Sequence, residues 1–264
     1  MEIKITSNQN SHYKEWKKLH LKKYRNISNL FMIEGVKTIN EAIIWGSIFN
    51  AILYSGKLFN VNGGSELYKN IEQKDILLYE LEHSLLRDLS DTENSQGIIG
   101  IIEHPKHNIN YLLESKESSI IILEEIQDPG NLGTIIRTAD AAGLDGIILS
   151  KGCVDVYNEK VIRSTMGSIF HLPIIRDITL NEVIPKLIEK DYQIIGTDLN
   201  TKCFYHELKY LKKKALIIGN ESNGISKSTS DLCSALVKIP IKGNAESLNA
   251  AIAAGILMYR MQGI

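Results

Sequence analysis

The chain has only three cysteines, Cys153, Cys203 and Cys233, and none stands in a CxxC pair. An odd number without that spacing excludes a disulfide framework and a cysteine zinc site, and it fits a reducing compartment. No apolar run reaches the roughly 20 residues of a membrane span. The opening Met1-Glu2-Ile3-Lys4 lacks the apolar core of a secretory signal. A cytoplasmic protein with no membrane contact and no metal is therefore expected. A dominant charge is missing too: 30 Lys and Arg face 31 Asp and Glu, for a formal net charge of −1. Only local charge can then speak for a nucleic-acid partner. There is no GxGxxG after a strand, no GxxxxGK[ST], no HExxH and no GxSxG. Dehydrogenase, P-loop and common hydrolase readings are left without support.

What is present is an ordinary globular composition over 264 residues, 44% hydrophobic and 23% charged, enough for one large or two ordinary domains. Residues 1–25 hold seven Lys and Arg against two Glu, with Tyr13, Trp16 and Tyr24 interleaved. This stretch predicts a basic helix. It is either a solvated face or a phosphate-binding surface with stacking rings, and Lys14, Lys18, Lys22 and Arg25 are its candidate RNA contacts.

Residues 31–102 alternate strand and helix: strands near 31–35, 52–54, 76–79 and 97–102, helices over 36–45 and 82–89. The segment 103–110, with Pro105, two His and two Asn, reads as an interdomain linker. Two domains follow, 1–104 and 112–264. In the second, apolar runs at 119–124, 146–149, 171–175, 193–198, 215–218 and 237–241 alternate with helical patterns at 133–142, 159–166, 180–189 and 248–261. Such alternation implies an α/β fold with a mostly parallel sheet covered on both faces.

Polar clusters stand where strands give way to helices, the usual ligand-binding edge of an open α/β sheet. The first runs from Asp128 to Arg137 and offers Asn131 as an N-cap. Arg137 there is either half of a salt bridge or a functional cation. The second runs from Lys160 to His171 and contains Arg163 and Ser168, either a polyanion site or a helix end. The third is a pair of loops rich in Gly and Asn, one carrying Glu221 and the other Ser247 and Asn249.

Asp128-Pro-Gly-Asn-Leu-Gly-Thr-Ile-Ile-Arg137, Arg163-Ser-Thr-Met-Gly-Ser168, Gly219-Asn-Glu-Ser-Asn-Gly-Ile-Ser226 and Glu246-Ser-Leu-Asn249, in this order, resemble the successive motifs of the SpoU/TrmH family of the SPOUT superfamily. These are RNA ribose 2′-O-methyltransferases. The resemblance covers about residues 119–261. Residues 31–35 and 97–101 are similar to the small ribosomal-protein-like α/β domain that precedes many such catalytic domains.

The resemblance implies a C-terminal SPOUT domain with a deep trefoil knot, a homodimer, and ribosomal or transfer RNA as substrate. It implies S-adenosylmethionine as cofactor, its adenine lying among Thr197, Leu199, Ile218, Gly219, Ile239, Ile241 and Leu248. Asn131, Arg137, Glu221, Ser247 and Asn249 match active-site positions of the family. Arg137 is then the base, or a stabiliser of phosphate or alkoxide charge; the residues leave both open. The alternatives are a SPOUT enzyme that methylates a base nitrogen and a non-catalytic RNA-binding protein on the same fold.

Overall fold

The computed structural model describes residues 2–264. Its contacts divide the chain into two compact units. One holds the residues up to Lys106 together with Tyr157–Phe170, the other His107–Val156 and His171–Ile264.

In the first unit the chain runs β1 (Glu2–Ile5), α1 (Ser11–Lys18), α2 (Lys22–Ser28), β2 (Leu30–Glu34), α3 (Val36–Ile44), β3 (Phe49–Tyr54), α4 (Gly64–Glu72), β4 (Leu78–Leu81), α5 (His83–Leu89) and β5 (Ile98–Glu103). The described residues form a five-stranded sheet in the order β1-β4-β3-β5-β2. β1, β4 and β3 are parallel, and β5 runs antiparallel to both its neighbours.

The basic N-terminal stretch differs from the single helix expected. It begins with an edge strand and then breaks into two short helices. Tyr13, Trp16 and Leu19 recur every third residue and are buried in the core, because that spacing puts them on one face of a helix. Two of the three candidate stacking rings are thus core residues. Tyr24 stays partly exposed, with Lys18 Nζ 5.7 Å from its ring centre. Arg25 is a second correction. It is only 3% exposed, and its Nη1 donates to the carbonyls of Leu19 at 2.7 Å and His20 at 2.9 Å. That geometry makes it a cation that closes the α1–α2 turn, since backbone acceptors offset its loss of water. Lys14, Lys18 and Lys22 remain exposed.

The second unit opens with α6 (Asn110–Glu114), β6 (Ser118–Leu123), α7 (Pro129–Ala141) and β7 (Gly146–Ser150). The chain then passes through α8 (Glu159–Thr165), which belongs to the first unit. There Tyr157 stacks on Phe31 with ring centres 4.3 Å apart. Ser168, expected to touch RNA, is instead buried at 6% exposure. Arg163 pairs with Asp91 and stays exposed. The chain returns through β8 (Ile174–Ile178), α9 (Leu180–Ile188), β9 (Gln193–Thr197), β10 (Lys213–Ile218), α10 (Lys227–Ser230), β11 (Ala235–Val237) and α11 (Ala250–Gln262).

These strands form a six-stranded sheet, β11-β9-β10-β6-β7-β8, with every pairing parallel. Ile120, Ile122, Ile148, Ile194 and Ile217 pack with Leu113, Ile184 and Leu187 on one face. The alternate positions Ile121, Leu123 and Leu216 are equally buried, on the face covered by α7 and α11. Burial on both faces explains why these strands are unbroken apolar runs. No described helix is long and apolar enough to cross a membrane.

His20 Nδ1 lies 2.6 Å from Glu159 Oε1 within the first unit. That hydrogen bond raises the imidazole pKa, against the opposing effect of burial. A histidine whose pKa rises on folding adds stability that is fully present below its unfolded value of about 6.5 and lost as pH climbs through the folded value. The melting temperature of the wild type should therefore exceed that of His20→Gln most at pH of about 6, with the gap narrowing as pH rises above neutrality. A gap that stays constant or widens with pH in thermal unfolding would contradict this.

Candidate active site

The carboxyl ends of β9, β10 and β11 open into a cavity of about 650 Å³. In a parallel sheet this edge collects the loops and the strand-end carbonyls, so ligands bind there. Thr197, Leu199, Ile218 and Gly219 line the cavity from the ends of β9 and β10. Ile239, Ile241 and Leu248 line it from the segment between β11 and α11, and Glu221 and Ser247 also stand on its wall.

Its walls differ in how far their hydrogen bonds are satisfied. The loop after β10 is closed on itself: Asn220 N donates to Gly224 O at 3.0 Å, and Gly224 N returns to Asn220 O at 2.9 Å. Asn220 Oδ1 accepts from the N–H groups of Ser222 and Asn223 at 3.0 and 3.1 Å, while its Nδ2 donates to Glu125 O at 2.9 Å. A Cβ on Gly219 would sit 2.1 Å from the carbonyl carbon of Gly224. Only glycine permits that approach. Residues 239–248, by contrast, make no hydrogen bond with any other described residue. They hold unpaired N–H and C=O groups at the cavity edge, and backbone groups of this kind are paired with a ligand or with water.

Glu221 binds the loop that precedes α7. Its carboxylate accepts from Asn131 Nδ2 at 3.0 Å and from the N–H groups of Asp128 and Gln127 at 3.2 and 3.3 Å. Burial pushes the Glu221 carboxyl up, but these hydrogen bonds together outweigh it and hold the pKa below the usual range. Asn131 Oδ1 in turn accepts from Asn249 Nδ2 at 2.9 Å. Asn249 caps α11, its Oδ1 taking the N–H groups of Ala251 and Ile252 at 2.9 and 3.3 Å.

Asn131 is not the cap of α7. Asp128 fills that role, accepting from Asn131 N at 2.7 Å, with Pro129 in the first turn. Proline suits that turn because its missing N–H has no partner there to lose. The helix therefore starts earlier than expected, and the Asn131 side chain is left free for Glu221 and Asn249. Arg137 lies farther along α7 on an exposed face with Thr134 and Ala141. Its apolar neighbours point the other way, so it is not a desolvated cation. It makes no hydrogen bond or ion pair with any described residue. The salt-bridge reading finds no partner, and neither Glu221 nor the two asparagines reach it within one chain. Ser247 is exposed and makes no hydrogen bond among the described residues. Asp128 is a residue that spacing did not single out, although Asp before Pro at a strand exit is a cap signal.

With this geometry in view, known proteins give a consistent picture. The SpoU rRNA Methylase family model matches residues 118–259, and the MRM3-like substrate binding domain model matches residues 10–100. The chain is 35% identical over 259 residues to the 23S rRNA (guanosine(2553)-2'-O)-methyltransferase RlmP of Bacillus subtilis, covering 98% of this chain and 99% of that protein. It is similar to the AdoMet-bound rRNA methyltransferase from Sinorhizobium meliloti, with TM-score 0.90, 31% identity, and coverage of 99% and 98% of the two chains. It is also similar to the SpoU methyltransferase AviRb from Streptomyces viridochromogenes in complex with AdoMet, with TM-score 0.87, 28% identity, and coverage of 96% and 97%. The motif order, the parallel sheet with its carboxyl-edge cavity and these matches lead to one conclusion: the chain belongs to the SpoU rRNA Methylase family.

Proposed function

We propose that this protein transfers the methyl group of S-adenosylmethionine to a ribose 2′-hydroxyl of ribosomal RNA. The observation that carries the reading is the cavity at the β9, β10 and β11 ends, walled by unpaired backbone over residues 239–248. Neutral adenine would suit such a wall, because its edge both donates and accepts, and Leu199, Ile218, Ile241 and Leu248, which line the cavity, would hold its faces. Thr197, Gly219 and Ile239 complete that set.

S-adenosylmethionine supplies a methyl group already activated by its sulfonium charge, so the protein must orient the hydroxyl and accommodate its proton. Asn131, Glu221 and Asn249 act as one hydrogen-bonded unit that fixes the start of α7 against the start of α11. The uncommitted Ser247 hydroxyl at the cavity wall serves the ribose. Arg137 stands outside that unit with its donors free. Guanidinium groups hold their proton in proteins, so we assign Arg137 to the developing alkoxide charge or the adjoining phosphate, while water or another group takes the hydroxyl proton.

The finer architecture follows the same reading. Residues 112–264 carry the reaction and a trefoil knot formed around the cavity, and residues 1–104 bind the RNA. α11 shows Ile252 and Tyr259 to solvent at 55% and 38% exposure, beside the free face of α7. A second copy covers this apolar strip and completes the surroundings of Arg137. The protein is thus a homodimer, which light scattering tests; a strict monomer at micromolar concentration would overturn the shared-site arrangement.

Arg137→Ala should cut single-turnover methyl transfer by roughly 10²–10³, with cofactor affinity and melting temperature nearly unchanged. Arg137→Lys should not restore it, because an ammonium lacks the planar fork. A large drop in melting temperature with normal turnover would return Arg137 to a structural role.

The exposed lysines and the buried arginine of the first unit should also separate. Alanine at Lys14, Lys18 and Lys22 should weaken RNA binding and flatten its salt dependence, each lost phosphate contact lowering the slope by about 1. Arg25→Ala should instead lower stability by about 1–3 kcal/mol through its two orphaned carbonyls. An unchanged salt slope in the lysine variants would mark those charges as solvated only.

A further inference from the structure

Glu124 directly follows β6, and the reaction as assigned above does not use it. It is 9% exposed. A carboxylate removed from water is costly unless its oxygens find donors, and here both do. Oε2 accepts from Ser226 N at 3.1 Å and Oε1 from Thr229 Oγ1 at 2.9 Å. Thr229 is 1% exposed. The two donors flank the entry into α10, where Ser226 Oγ also accepts from Thr229 N at 3.2 Å. α10 has 4 residues, too few to hold a helix unaided. Its position is set by what grips it.

The segment so gripped is a wall of the cavity: Asn220, Ser222, Gly224, Ile225, Lys227 and Ser230 all line it. Asn220 fastens one end of the loop to Glu125 O, and Glu124 fastens the other. We infer that Glu124 is a positioning residue for cofactor binding: it fixes the β10–α10 wall so that the cavity is shaped before its ligand arrives. This rests on the proposed cofactor site. The choice of glutamate is chemical. A glutamate accepts from both donors with charge-assisted bonds, whereas a glutamine would offer a neutral oxygen to one of them and an amide N–H in place of an acceptor to the other.

Calorimetry with S-adenosylmethionine and with its demethylated product tests this, alongside amide hydrogen exchange of the ligand-free protein. Glu124→Gln should weaken both ligands by roughly tenfold or more, the scale of a lost charged hydrogen bond. It should also speed exchange over residues 219–230, while RNA affinity and single-turnover rate at saturating cofactor stay near wild type. Thr229→Val keeps the volume and loses the hydroxyl; Thr229→Ser keeps the hydroxyl and loses a methyl. The valine variant should lose cofactor affinity and the serine variant retain it. This pair decides the matter if Glu124→Gln does not fold. The reverse order, or a fall in melting temperature with unchanged affinity and exchange, would overturn the inference. A wild-type protein that binds neither ligand would instead overturn the cofactor reading of the cavity.

Discussion

One hydrogen-bond chain joins three segments that lie far apart in sequence: Glu221 to Asn131, and Asn131 to Asn249. Each member also holds backbone. Glu221 takes the N–H groups before α7, and Asn249 takes those that open α11. Polar groups at helix starts are normally satisfied locally. Here the local caps are supplied by Asp128 and Asn249, and the side chain of Asn131 is released to connect Glu221 with Asn249. Asn131 is the central member: removing it leaves Glu221 and Asn249 each without a partner, and removing either of those leaves one group of Asn131 unpaired. The site can therefore be stiff although it is built on loops.

The cations divide by environment rather than by sequence position. Arg25 and Lys22 are near neighbours in a basic stretch, yet one is enclosed by carbonyls and the other meets solvent. Arg163 is spoken for by Asp91, whereas Arg137 has no partner among the described residues. An exposed guanidinium without an ion-pair partner among the described residues contributes nothing to folding that the structure displays. Its donors are available for an anion from outside, which is the property a phosphodiester substrate requires.

Much of the second unit was legible because its strands are buried on both faces. Runs such as Ile120-Ile121-Ile122 and Ile147-Ile148-Leu149 need no alternation and stand out as strands. The motif residues lining the cavity were legible through order and resemblance. Hydrogen-bond partners were not: the sequence reading puts the cap at Asn131, and only the preference of proline for the first turn points to Asp128 instead. In the first unit, counting charges over residues 1–25 hid the Tyr13, Trp16 and Leu19 face. β1 escaped notice because an edge strand buries few of its side chains. Nothing local in residues 157–170 tells that they join the first unit, since a tertiary contact leaves no periodic trace when the segment is short.

The two cavity walls carry opposite preparation, and the difference bears on how affinity is distributed. The β10–α10 wall is held in the free protein by the Asn220–Gly224 pair, by the Asn220 amide on Glu125 O and by Glu124 on Ser226 and Thr229. Ordering it again on binding costs little. The wall of residues 239–248 is unsatisfied among the described residues. Its N–H and C=O groups exchange water for ligand, and they gain most from a flat heterocycle that matches donors and acceptors together. A cavity with one fixed wall and one hungry wall selects by shape on the first and by hydrogen-bond pattern on the second. Under the proposed function, specificity then requires no fixed charge at the adenine end, and Arg137 of α7 is left for the RNA.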